Sequence, residues 1–258
     1  MIAFGLRESA MKGRRRVSAQ QYAIGYDFAI WKSDWIAAGQ EGVVTPSMFL
    51  VEQDPGSVLK THYHRQNQFQ LFVRGRGNIG PHVLSPNTLH YAGAYTGYGP
   101  ITAGPEGLAY FTIRATFDSG AGFVPEALSS MLRGPRRQAT ANLLPITGSQ
   151  ALARQPGEIG YDLMGSNEDD LHARQHLLPP GHASSIGSLR TTGVFGIVLH
   201  GQLQVGGEDL GEWESFYLSP DEPATVTVAG SGGCEFVTLR MPALAAEYRD
   251  PALAQTVR

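Results

Sequence analysis

Phe69-Gln70-Leu71-Phe72-Val73-Arg74-Gly75 and Phe195-Gly196-Ile197-Val198-Leu199-His200-Gly201 are two versions of one pattern, an offset of 126 residues apart (195 − 69). Each is a short run rich in β-branched and aromatic residues, closed by a glycine and too short for a helix. Tyr110-Phe111-Thr112-Ile113-Arg114 and Phe236-Val237-Thr238-Leu239-Arg240 repeat at the same offset (236 − 110). Two matches at one spacing mark an internal duplication. Upstream, Phe49 to Gly56 resembles Gln175 to Gly181 at an offset shorter by one, and Gly25-Tyr26-Asp27 recurs as Gly160-Tyr161-Asp162 after a larger shift. A unit of about 126 residues is longer than a solenoid repeat of ~20 to 50 residues, so the chain reads as two copies of one domain.

The 32 glycines and 16 prolines fall in punctuating groups such as Asp54-Pro55-Gly56, Gly75-Arg76-Gly77, Pro179-Pro180-Gly181 and Gly206-Gly207. Strand-length apolar runs lie between them, which predicts an all-β barrel or sandwich class. The repeat then assigns residues 1–120 to an N-terminal barrel, 121–157 to a linker with weak helical patterning at Pro125 to Leu132, and 158–258 to a C-terminal barrel.

The 258 residues, 42% of them hydrophobic, suffice for two cores. A formal charge of −3 with only short basic clusters gives no long-range attraction to nucleic acid or anionic lipid. No helix-turn-helix with a basic recognition helix is evident, and no apolar run reaches the ~18 residues that span a bilayer. The single cysteine, Cys234, lies in a strand-like apolar run and reads as a buried, inert thiol, which fits a reducing, cytoplasmic compartment.

The first copy also contains Gly56-Ser57-Val58-Leu59-Lys60-Thr61-His62-Tyr63-His64-Arg65-Gln66-Asn67-Gln68, with Gly75 following. This stretch resembles the first cupin motif, Gly-x5-His-x-His-x3-Glu-x6-Gly, with Gln68 in place of the usual glutamate. The resemblance implies two tandem cupin-type jelly-roll β-barrels with a few short helices, a bicupin. Alternation along a strand puts both imidazoles of His-x-His on one face, which the resemblance identifies as the barrel interior.

By that resemblance His62, His64 and Gln68 are expected to hold one divalent transition metal (Fe, Zn, Mn, Ni or Cu). The second cupin motif departs from the family. Its expected histidine maps near Tyr98 or Gly99, so the remaining ligand is left among His90, His82 and Tyr98, with His90 ranked first. In the second copy His62, His64 and Gln68 map to Ser188, Arg190 and Val194, and His172, His176, His182 and His200 lack the spacing of a site. That barrel reads as degenerate.

Phe49, Phe69, Leu71, Phe111, Tyr91, Tyr95 and Tyr98 are candidate pocket walls. The Gly-rich stretch from Gly93 to Gly104 reads as a mobile connection able to act as a lid or to supply acid/base groups such as Tyr98. Arg74 and Arg114 are candidate carboxylate holders. The function implied is a metal-dependent enzyme on a small organic substrate, of dioxygenase-type cleavage or isomerase/lyase chemistry. The alternative is a non-catalytic small-molecule-binding or sensing cupin. No nucleic acid or membrane partner is expected, and apolar Tyr26 to Trp35 suggests a homodimer formed through exposed strands.

Overall fold

The computed structural model describes residues 1–18, 29–37, 45–165, 169–187 and 192–257. Gly25-Tyr26-Asp27, Ser188 and Arg190 lie outside the described residues, as does the start of the Tyr26 to Trp35 stretch. The chain divides into two units, each built on one large antiparallel sheet.

In the unit formed by Lys12–Asn142 and Leu244–Arg258, the strand order is Gln138–Asn142, Thr88–Ala92, Gln68–Ile79, Ile101–Arg114, Ser47–Gln53, Ala29–Ile36, Arg15–Ser18. In the unit formed by Met1–Met11 and Leu143–Ala243, it is Ile2–Gly5, Ser215–Leu218, Val194–Val205, Thr225–Arg240, His172–Leu178, Ile159–Gly165. The two orders superimpose strand for strand over six positions. The repeated segments are the two long central strands of each sheet: Gln68–Ile79 against Ile101–Arg114, and Val194–Val205 against Thr225–Arg240.

The glycine that closes each repeated segment has a physical reason. Gly75 takes φ +77° and Gly201 φ +80°, in the left-handed region where a side chain is strained. A Cβ on Gly75 would stand 2.1 Å from the Gly107 carbonyl oxygen, and one on Gly201 would stand 2.2 Å from that of Gly233. Gly107 and Gly233 are themselves 126 residues apart. Both ladders change register at this place, so the duplication has preserved a bulge that bends each long strand.

The interiors are built from the apolar faces of these strands. Phe72, Ile79, Leu84, Ile101, Leu108 and Tyr110 form the core of the first sheet, and Leu178, Val198, Leu203, Phe216, Leu218 and Phe236 that of the second. Cys234 is fully buried in the second core, where burial raises its pKa.

The units are not the two contiguous halves expected. Residues 1–11 do not complete the N-terminal barrel: Ile2–Gly5 pairs with Ser215–Leu218, and Ile2, Phe4 and Leu6 pack on the second core. The expected linker is divided instead of free. Gly122–Phe123 pairs with His62–Tyr63, Leu128–Ser130 forms one 3-10 turn where helical patterning was expected, and Gln138–Asn142 pairs with Thr88–Ala92. The helix Ser149–Leu152 belongs with the second sheet. Residues 244–258 leave the second unit for the first, where Leu244, Tyr248 and Val257 pack with Tyr63, Tyr95 and Met131. The reason is edge satisfaction: Thr88–Ala92 and Ser215–Leu218 would each be open edges, and each takes a strand from outside its own repeat. Trp31 to Ile36 pairs with Ser47–Gln53 on one side, and Arg15–Ser18 covers the other side of this strand from Ala29 to Lys32.

Candidate ligand chamber of the first barrel

A cavity of about 470 Å³ opens inside the first unit. His62 and His64 line it from the strand His62–Tyr63 and the residue after it, while the intervening Tyr63 points away and donates its hydroxyl to the Ala127 carbonyl (3.0 Å). The alternation read from the sequence therefore holds through this stretch. The two imidazole rings stand 5.3 Å apart, edge to face, and Tyr98 is 4.5 Å from the His62 ring. A backbone bridge between His62 and Tyr98 fixes that pairing.

Hydrogen bonds define the state of each imidazole. His62 Nδ1 donates to the Lys60 carbonyl at 2.7 Å, because a carbonyl can only accept. His64 Nδ1 donates to Asp118 Oδ1 at 2.7 Å, and Asp118 also receives the backbone N–H groups of Arg65 and Gly120 (2.9 Å each). Burial opposes ionisation of Asp118, but the His64 N–H and the Arg114 guanidinium outweigh it and hold the carboxyl well below its usual range. Burial pushes His62 down to about 3, helped by neighbouring His64, and pushes His64 down to about 4, helped by Arg114. Both rings are thus neutral near pH 7, each presenting an Nε2 lone pair.

Arg114 claims one of those lone pairs. Its Nη2 donates to His64 Nε2 at 3.1 Å and to Gln68 Oε1 at 2.9 Å, and its Nε reaches the same oxygen at 3.1 Å. Gln68 then donates through Nε2 to the Tyr98 hydroxyl at 2.6 Å, and burial raises the Tyr98 pKa. An amide suits this place because it accepts from arginine on one side and donates to tyrosine on the other. Asp118 balances the charge, with its Oδ1 3.9 Å from Arg114 Nη1.

The remaining walls are largely apolar, among them Phe49, Val51, Leu59, Tyr110 and Phe123. At the solvent-exposed end Arg15 and Lys32 flank Asp34 at 2.8 and 3.2 Å. The lining carries three cations (Arg15, Lys32, Arg114) and two carboxylates (Asp34, Asp118), an excess of one positive charge with both imidazoles neutral.

Of the residues singled out from sequence, His62, His64, Tyr98, Phe49 and Arg114 line the chamber, and Gln68 supports it from a buried position. Arg74 does not: its side chain is 62% exposed and pairs with Glu52 at 2.7 Å, because it follows the buried half of its strand and points outward. His90 faces Gln70 (3.1 Å) on the neighbouring strand, lies outside the chamber lining, and carries a buried Nε2 without a partner. His82 sits exposed in the hairpin His82–Leu84. Phe69, Leu71, Tyr91 and Phe111 are core residues, and Tyr95 stacks on Tyr63 instead of serving a lid. Asp118 was missed because it follows the repeated strand, in what reads as the start of a linker. The signal that finds it is the duplication itself: Arg114 recurs as Arg240, whereas Asp118 maps to Leu244.

The donor set as arranged does not fit a divalent metal. An ion held by His64 Nε2 and Gln68 Oε1 would need the lone pairs that Arg114 occupies. Among the described residues, no group of three His, Cys, Asp or Glu side chains is placed to hold one. Of the two imidazoles that line the chamber, only His62 leaves its Nε2 open.

No family model and no curated protein matches the sequence. Solved structures do. Bacterial pirin YhhW from Escherichia coli, in complex with nickel(II), matches with a TM-score of 0.56 at 12% identity, over 94% of this chain and 99% of that one. Salicylate 1,2-dioxygenase from Pseudoaminobacter salicylatoxidans gives 0.55 at 11%, over 100% and 84%. Bacillus subtilis oxalate decarboxylase, known with Mn(II) centres, gives 0.56 at 12%, over 89% and 78%. Such identities speak to fold alone. Taken with the duplicated sequence and the two equivalent sheets, they give this chain the bicupin fold, two tandem jelly-roll barrels of the cupin type.

Proposed function

We propose that the first barrel receives a small organic acid with an apolar body and a single negative charge, and that Arg114 is its charge partner. The observation that carries this reading is the chamber itself: apolar walls around one buried guanidinium, with one positive charge in excess. The fold neighbours named for salicylate and oxalate are named for organic acids, which accords with it.

The arrangement also supports acid/base chemistry. A carboxylate drawn to Arg114 competes with His64 and Gln68 for the same N–H groups. When it takes them, the His64 Nε2 lone pair is released beside the bound molecule, while Asp118 continues to orient the ring and to stabilise its protonated form. The substrate's own charge thus converts His64 from a hydrogen-bond acceptor into a proton acceptor. The resemblance implied a metal-dependent dioxygenase, isomerase or lyase, and the neighbours with nickel and manganese support that wider reading. The donor arrangement favours a reaction carried by His64 and Arg114.

Calorimetric titration with benzoate and its neutral isostere benzamide tests the proposal. Benzoate is expected to bind at least about tenfold more tightly, a difference of about 1.4 kcal/mol. Arg114→Leu should remove that preference. Equal affinities, or binding of neither compound, would overturn the reading.

A further inference from the structure

We propose that the Arg114 guanidinium is a built-in replacement for a divalent cation, so that the native first barrel holds no transition metal, and that shortening this one side chain turns the chamber into a metal site.

Three features that depart from a cupin metal centre explain one another. Arg114 delivers its N–H groups to His64 Nε2 and Gln68 Oε1, two of the atoms an ion would need. Gln68, an amide where a metal centre would use a carboxylate, accepts from Arg114 and donates to Tyr98 in the same geometry. Tyr98, near the place of the expected third histidine, is the group that receives this donation. Gln68 links the other two, accepting from Arg114 and donating to Tyr98.

Charge points the same way. Arg114 and the fully buried Asp118 side chain make a balanced pair of opposite unit charges. A divalent ion in addition would leave two further positive charges in a largely apolar chamber, and Gln68 has no charge to offset them. The competence for a metal is nevertheless latent. Both imidazoles are anchored through Nδ1, one by a carbonyl and one by a carboxylate, which is how metal-bound histidines are oriented. Without the guanidinium, His62 Nε2, His64 Nε2 and the Gln68 carbonyl oxygen form a nitrogen and oxygen set suited to Ni(II), Cu(II) or Zn(II).

The test uses the untagged full-length protein, incubated with Ni(II) or Zn(II), gel-filtered and analysed for bound metal. Wild type is expected to retain less than about 0.1 equivalent, and Arg114→Leu about one, with a metal-dependent rise in Tm. His62→Ala or His64→Ala added to Arg114→Leu should abolish that gain. Arg114→Lys, which keeps the charge, should gain nothing. One equivalent on wild type that is lost in His62→Ala/His64→Ala overturns the proposal, as does a cooperatively folded Arg114→Leu that takes up no metal. The wild-type measurement stands even if Arg114→Leu fails to fold. Metal content is read independently of benzoate affinity, so this inference and the organic-acid reading can fail separately.

Discussion

Gln68 and Asp118 have, 126 residues on, Val194, which lies in the second barrel, and Leu244, which packs in the first. In the first barrel this pair of positions anchors a guanidinium beside an open chamber. In the second, Val194 joins Leu178, Val198 and Phe236 in an apolar core. Three histidines of the second barrel spend ring nitrogens on structure: His176 bridges Glu158 (2.8 Å) and Thr238 (2.9 Å), and His172 and His200 contact Asp162 and Ser149. Arg114 and Arg240, by contrast, are common to both copies, as are the glycine pairs at the bulges. What the copies share is the frame, and what they do not share is the chamber. The same arginine becomes a ligand anchor only where an aspartate and a glutamine surround it.

The sharpest way to break this comparison is at the shared glycines. Gly75→Ala and Gly201→Ala should each cost about 3 kcal/mol or more, since both force a Cβ into a carbonyl at positive φ. Chemical denaturation would measure the two losses. A large cost at one and none at the other would show that the barrels do not depend on a common bulge.

Exchanging the residues that differ should be nearly as disruptive. Gln68→Val takes from Arg114 the amide oxygen that accepts two of its N–H groups and from the Tyr98 hydroxyl its donor, and Val194→Gln buries an unpaired amide among apolar side chains. Each is expected to cost about 2 to 3 kcal/mol. Only Gln68→Val should also weaken benzoate binding, and an equal effect of both on benzoate would break the assignment of the ligand to one barrel.

The smallest effect per residue is on pH dependence. Burial holds His62 and His64 at about 3 and 4, below the ordinary value of 6.5, so acid favours the unfolded chain, which binds the extra protons. Stability should be nearly complete at pH 7 and fall by roughly 2 kcal/mol for each imidazole between pH 7 and pH 5. Asp118, held below its usual range, adds a further loss in stronger acid. Urea midpoints across this range measure the slope. A flat profile would mean that the imidazoles are not held neutral.

Most of the fold was legible because duplication doubles the signal: the two central strands and their bulge glycines appear twice at one spacing. His62 and His64 were legible from the resemblance to the first cupin motif, with period two putting both rings on one face, and Tyr98 from the offset. The facing of the arginines was not. Arg74 and Arg114 both lie on repeated strands, but Arg74 falls where burial of its strand gives way to alternation, whereas Arg114 closes a strand buried through its last eight residues. Hydrophobic pattern does not show where a strand passes from the core to the surface when the neighbouring residues are glycines. Asp118 was hidden for a related reason, since a turn has no periodicity to place its side chain. Nor does local sequence say which sheet edge an end of the chain will fill, because both edges offer the same hydrogen bonds.

That last point has a consequence for how the molecule is made. Ile2 meets Leu218 across the sheet, so this strand must wait for more than 200 further residues before its partner exists. The barrel that begins at Lys12 in turn receives Leu244, Tyr248 and Val257 only after the other barrel has been threaded. Closing so long a loop adds little entropy per residue, but it delays the closing contact. Neither barrel is therefore complete while its own repeat is emerging.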